Sequence, residues 1–191
     1  MVGGGFIKLT QEVSKRSVGL ELNKINRKYI NDIGVQCVNH LSELKDEKFD
    51  VITLNHVFEH LNDPINILKE LQSHLKSNGV IIIEVPHARD LLLETFNLES
   101  FKNFTFWSEH LILHTKKSLE SFTKNSGLQV RKIEGFQRYP ISNHFNWLLK
   151  GQPSGHEIYK HLNNKVFHEQ YENLLGDIDQ NDTLIGYFGI N

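Results

Sequence analysis

The chain has 191 residues, with 21 lysines and arginines against 23 acidic residues and a formal charge of −2. That balance gives no electrostatic ground for a nucleic-acid or membrane-surface partner, and 191 residues suffice for one well-filled core. A lone cysteine, Cys37, excludes an internal disulfide, no apolar run would cross a bilayer, and the start MVGGGFIKLTQ lacks the regions of a secretion signal, so a reducing, cytoplasmic setting is expected.

Along the chain, strand-like and helix-like segments alternate. Phe6 to Arg16 carries apolar residues at helical spacing, and Ser17 to Leu22 follows as a short strand. Asn23 caps a helix that Gly34 stops, and Val35 to Val38 is a brief strand. Phe49 to Leu54 predicts a longer buried strand, and Asp63-Pro64 opens a helix whose stripe is Ile65, Leu68, Leu71 and Leu75 before Asn78-Gly79 ends it. Val80 to Val85, the run VIIIEV, is the plainest strand. Residues 87 to 116 form a long aromatic excursion of the kind that makes a lid. A helix to Gly127, a strand LQVRKIEGF, a helical region to about Leu175 and a strand DTLIGYFGI complete the pattern. Such alternation implies parallel βαβ crossovers, with the last two strands forming an antiparallel pair at the edge of the sheet. The strands Asp50 to Leu54 and Val80 to Val85, being the most apolar, are expected side by side at the centre.

Gly3, Gly4 and Gly5 precede the first helix, and the acid Glu21 ends the next strand. Glycines allow close backbone approach to a ligand, and a carboxylate at a strand end can accept from both hydroxyls of a ribose. On spacing alone, a flexible start and a solvated acid explain these residues equally well.

Taken with FDVITLNHVFEHLNDP and LKELQSHLKSNGVIIIEVP, these residues resemble the Rossmann-like S-adenosylmethionine-dependent methyltransferases over nearly the whole chain. The resemblance implies an α/β fold with a mostly parallel sheet flanked by helices and a terminal antiparallel strand, in a single domain spanning 1–191. In that family a first strand, with the first glycine of the loop and an acid for the methionine amino group, precedes the position of Gly3, so the sheet is expected to lack that strand. Gly3 and Gly5 match the last two glycines of the loop and Glu21 the ribose acid. Leu22 beside it, and Asn55 and His56 at the mouth of the fourth strand, complete the cofactor contacts that the resemblance implies, His56 being also a candidate for catalysis.

The stretch Phe106 to Leu128 resembles a segment of sugar methyltransferases in which a Tyr-His-Glu-His motif carries a basic histidine. His110 takes the last position and Glu109 the one before, while Trp107 and Ser108 replace the first two. The resemblance therefore makes His110 the general base with Glu109 beside it. Tyr139, His144 and Trp147 are candidates for an acceptor pocket, and His60 is expected to brace backbone near a helix start. The 11 histidines are scattered and the lone cysteine completes no zinc ligand set with them, so no metal is expected. The implied partner is a small polar acceptor, a sugar or surface-polysaccharide precursor, nucleotide- or lipid-linked, with a homodimer as the oligomer to look for. Two other readings stand beside methyl transfer: a nicotinamide-dependent oxidoreductase using the same glycines and Glu21, and a truncated, non-catalytic binding remnant of the methyltransferase fold.

Overall fold

The computed structural model describes residues 4–106 and 109–190. These form two compact units divided between Lys48 and Phe49. Gly3, Trp107 and Ser108 lie outside the described residues.

In the first unit, α1 (Gly4–Val13), β1 (Val18–Leu20), α2 (Lys24–Asp32) and β2 (Gln36–Val38) follow in order. Asn23 caps α2 as expected, its side-chain oxygen accepting from the Ile25 and Asn26 N–H groups. Gly34 then turns the chain at φ 84°, a conformation that favours glycine. β1 and β2 pair in parallel, Val18 opposite Gln36 and Leu20 opposite Val38. Ile30, Val35 and Cys37 form a small core with Ile7 and Ile33 against it. Gly19 lets this core close, since a Cβ there would meet the Cys37 sulfur at 3.0 Å and Ile7 at 3.1 Å.

The second unit contains β3 (Phe49–Asn55), α3 (Pro64–Ser73), β4 (Leu75–Pro86), α4 (Leu91–Glu94), α5 (Glu99–Thr105), α6 (Lys116–Asn125), β5 (Gln129–Phe136), α7 (Ile141–Lys150), α8 (Gly155–Ile158), α9 (Lys165–Asp177) and β6 (Thr183–Gly189). The strand order is β3-β4-β6-β5. β3, β4 and β5 run one way and β6 runs against both its neighbours, so the mostly parallel sheet with an antiparallel last strand is present. Ile81, Ile83 and Val85 of β4 and Leu184 and Phe188 of β6 are fully buried, and with Phe58, Leu68 and Leu119 they form the core.

Two expectations need correction. β3 does lie beside β4, but it is an edge strand, because among the described residues β4 is its sole pairing partner. Val51 is accordingly 51% exposed. The helix from Pro64 also ends earlier, at Ser73, and Leu75 already pairs with Phe49 in the sheet. Leu75 keeps its burial by facing the core from a strand.

Residues 87 to 115 carry α4 and α5 and are pinned at their base, where His87 and His114 form a bridge and the Ala88 N–H donates to the His114 carbonyl at 2.8 Å. Among the described residues no helix is long and apolar enough to cross a membrane.

Candidate active site

A cavity of about 630 Å³ opens in the second unit at the carboxyl ends of β4 and β5, the edge of an α/β sheet where ligands bind. Pro86 and His87 leave β4 into its floor, and Asp182 and Thr183 enter β6 there. Phe101, Phe104 and Thr105 of α5 and Asn143, His144 and Trp147 of α7 line it. Phe101 and Trp147 meet edge to face with centroids 4.9 Å apart, giving the cavity an aromatic wall.

His56 enters this cavity because the chain turns sharply after β3. Its φ is 51°, while its N–H still donates to the Glu84 carbonyl and so stays anchored to β4. A 3₁₀ turn, Phe58–His60, then points Glu59 inward, with its side chain fully buried, and leaves His60 partly exposed. His56 lies between two carboxylates, Nδ1 at 3.4 Å from Glu59 and Nε2 at 3.1 Å from Glu84. Burial alone would lower its pKa, but the two carboxylates outweigh burial and raise it to about 9. The Arg138 guanidinium also contacts Nε2. A guanidinium only donates, so that contact and the one to Glu84 ask opposite states of Nε2, and the two acids settle it as an imidazolium donating to Glu84. Glu84 is held below the usual carboxylate range by the His56 hydrogen bond and, further off, the charge of Arg138.

His110 also lines the cavity. Its Nδ1 lies 2.8 Å from the Thr105 carbonyl. A carbonyl only accepts, so Nδ1 carries the hydrogen and the lone pair sits on Nε2. Tyr139, His144 and Trp147 join it on the cavity wall. Glu109 does not: its side chain belongs to a shallower hollow with His60, Asn62 and Leu111. Asn55 ends β3 opposite Glu84 and is not part of the cavity lining.

Glu21, Leu22 and Gly5 belong to the first unit. Glu21 extends β1, its N–H donating to the Val38 carbonyl, and its carboxylate accepts from the Asn23 N–H at 2.7 Å. Leu20 and Leu22 on either side are 51% and 76% exposed. Gly5 sits in the first turn of α1 with open space where a Cβ would be. The Glu21 carboxylate is thus held in place between two exposed apolar side chains.

Sequence reasoning missed Asp90, Asp182, Glu84 and Arg138. Glu84 was legible as the one charge inside VIIIEV; Asp90 and Asp182 stand 92 residues apart and gave no pattern. Burial, and then the charge of Asp182, raise the Asp90 pKa to about 8, although its side chain caps α4 by accepting from the Leu92 N–H. Burial holds His144 down at about 4, with its Nδ1 on the Tyr171 hydroxyl.

His144 supplies a test of this wall. Its folded pKa is depressed below the unfolded value of 6.5, so its contribution is complete above pH 6.5 and is lost as the pH falls towards 4. Between those values the unfolded chain binds more protons, and the loss amounts to about 3 kcal/mol. Urea melts of the wild type should therefore lose about 3 kcal/mol more over that range than those of His144→Gln. Parallel pH profiles would show that His144 is not buried as described.

The order of the strands, the single antiparallel strand and the cavity at the carboxyl ends define the Rossmann-like class of methyltransferase folds. A crystal structure of a SAM-dependent methyltransferase from Archaeoglobus fulgidus aligns over 96% of this chain and 80% of its own, with a TM-score of 0.63 at 22% identity. A SAM-dependent methyltransferase from Thermotoga maritima, described as a possible histamine N-methyltransferase, covers 100% of this chain and 79% of its own, with a TM-score of 0.64 at 15% identity. The sequence matches the methyltransferase-domain family over residues 3–133, and the chain belongs to that family. A curated relative, the ubiquinone biosynthesis O-methyltransferase of Haemophilus ducreyi, is 26% identical in an alignment of 116 positions that covers 53% of this chain and 44% of the relative. The chain thus spans less than half the length of that relative.

Proposed function

We propose that this protein transfers a methyl group from S-adenosylmethionine to a small polar acceptor, a sugar or a sugar-bearing surface-polysaccharide precursor, held in the cavity of the second unit. The observation that carries this reading is the make-up of the cavity. Phe101, Phe104, Tyr139 and Trp147 offer flat apolar faces, and Asn143, His144, His156 and Arg138 offer hydrogen-bonding edges. A pyranose has the same two kinds of surface, apolar faces and a hydroxyl rim. The cationic Arg138 suits a phosphate on the acceptor.

Glu21 would hold the ribose of the cofactor, Leu22 its adenine, Gly3 and Gly5 the backbone near its amino-acid part, and Asn55 and His56 its methionine end. Bound, S-adenosylmethionine supplies a methyl group activated on a sulfonium. The chain's own task is then to align the acceptor and take its proton. His110 is placed for the second task, because the Thr105 carbonyl fixes its tautomer and leaves Nε2 with the lone pair. His56, held as imidazolium by Glu59 and Glu84, serves as a fixed positive charge instead of a base.

Calorimetry tests the cofactor side. Glu21→Ala should weaken S-adenosylmethionine by ~1.5–3 kcal/mol, about 10- to 100-fold, and unchanged affinity would remove Glu21 from the site. For the acceptor side, labelled S-adenosylmethionine would be offered with free sugars, nucleotide-linked sugars, catechols and imidazoles. Labelling confined to catechols or imidazoles would overturn the sugar reading.

A further inference from the structure

We propose that Glu59, His60 and His110 form a binding site for one divalent transition-metal cation, which His110 reaches from the wall of the acceptor cavity and Glu59 and His60 from beside it. The proposal rests on the acceptor cavity of the reading above and gives the acceptor's oxygen a Lewis acid to bind; in it the Nε2 lone pair of His110 holds the cation, and the acceptor's proton leaves to water instead of to His110.

The carboxylate of Glu59 is the starting point. Its side chain is wholly shielded from solvent, and among the described residues neither oxygen has a hydrogen-bond donor. His56 reaches Oε1 only at 3.4 Å and His60 at 3.8 Å. The His56 imidazolium offsets the charge of Glu59, yet neither oxygen is hydrogen-bonded, and native structures rarely leave buried acceptors so. Three ligand atoms, one each from Glu59, His60 and His110, lie within 4.8 Å of one another. A cation about 2.1 Å from each would hold them roughly 3.4 Å apart in a tetrahedral site, so closure by at most about 1.4 Å completes it.

The histidines are oriented for this. His60 Nδ1 lies on the Glu109 carbonyl and His110 Nδ1 on the Thr105 carbonyl. Both must donate there, so both carry the lone pair on Nε2, and Nε2 of His60 is the atom that faces Glu59. A backbone carbonyl behind each imidazole is the usual second support of a metal-binding histidine. The rings stand 4.9 Å apart, tilted by 51°. The turn carrying Glu59 is also tied to the segment carrying His110, since the Leu111 N–H donates to the Glu59 carbonyl at 2.9 Å. Two imidazoles and one carboxylate suit zinc, manganese, iron or cobalt better than calcium or magnesium, which prefer oxygen throughout. Three protein ligands leave a position open, as in catalytic sites, and His110 lines the acceptor cavity. An acceptor hydroxyl bound there would lose its proton to water more readily. Its oxygen would then form the bond to the methyl carbon as the carbon–sulfur bond breaks and its electron pair stays on sulfur.

The test is titration of the metal-stripped full chain with zinc chloride by calorimetry and with cobalt chloride by visible absorption. One equivalent should bind with a tetrahedral cobalt spectrum, and Glu59→Gln and His60→Ala should each weaken it by ~100-fold or more, with S-adenosylmethionine affinity held in His60→Ala. Binding that is absent, or equal in wild type and both variants, would overturn the proposal. Methyl transfer at full rate in excess chelator would sink the metal while leaving the functional reading intact. A metal site lost in the variants, in a chain that methylates no acceptor, would sustain the metal and sink the functional reading.

Discussion

Replacing His110 by alanine should lower the rate of methyl transfer by ~10²- to 10⁴-fold, with the affinity for S-adenosylmethionine nearly unchanged. The expectation follows from what His110 touches. One ring nitrogen is committed to the Thr105 carbonyl, and the ring forms part of the cavity wall. Alanine removes the lone pair that receives the acceptor's proton or holds the cation that draws it off. Because the acceptor's proton must leave under either description, the loss appears in turnover. Single-turnover kinetics alongside calorimetry separate the two quantities. A fall in both together would make His110 a residue of folding, and a full rate would remove it from the site.

Asp182→Ala should destabilise the second unit by about 3–5 kcal/mol, seen as a lower urea midpoint at unchanged slope. The Asp182 carboxylate accepts from the Arg138 N–H at 2.9 Å, the Tyr139 N–H at 3.0 Å, the Gln137 amide at 2.9 Å and the Thr183 hydroxyl at 2.8 Å. These bonds join the exit of β5 to the start of β6 and set the rim of the cavity. Alanine strands the Tyr139 N–H and the Gln137 amide, both partly buried and each worth roughly 1–3 kcal/mol, while water can reach the exposed Arg138 N–H. Relief at Asp90, whose pKa is raised in part by the charge of Asp182, returns some of that. A change below about 1 kcal/mol would mean that water replaces the carboxylate at no cost.

Much of this fold is written locally. Asn23, Asp63 and Thr115 cap the helices they precede, and VIIIEV is a strand in any environment with two buried faces. What periodicity could not supply was neighbourhood. Phe49 to Leu54 reads as a central strand because it is apolar, yet its position depends on which strands pair with it, and among the described residues only β4 does. Leu75 fits a helical stripe and a strand face equally well, and pairing with Phe49 decides for the strand.

The site was legible where one segment holds it and illegible where two must meet. His56 and His110 were found because each sits in a dense polar stretch. Two His-x-x-x-His spacings, His56 with His60 and His110 with His114, stand in the sequence, but neither acts as a pair. The 3₁₀ turn sends His56 towards Glu84 and His60 towards Glu59, and His110 arrives from a segment fifty residues later. Glu109, adjacent to His110 in sequence, contributes its carbonyl to His60 while its side chain joins the other hollow.

The central claim is that the cavity of the second unit holds the acceptor during methyl transfer, and a cavity-narrowing substitution tests it most directly. Asn103 is an exposed residue of α5 on the cavity wall, so Asn103→Trp adds bulk there with little burden on the core. Initial rates of label transfer from S-adenosylmethionine to the preferred acceptor would be compared in wild type and Asn103→Trp, with cofactor affinity measured alongside. The account predicts a kcat/KM at least tenfold lower in the variant, with cofactor affinity within twofold of the wild type. Equal kcat/KM in the two proteins would contradict it, because the acceptor would then be bound elsewhere.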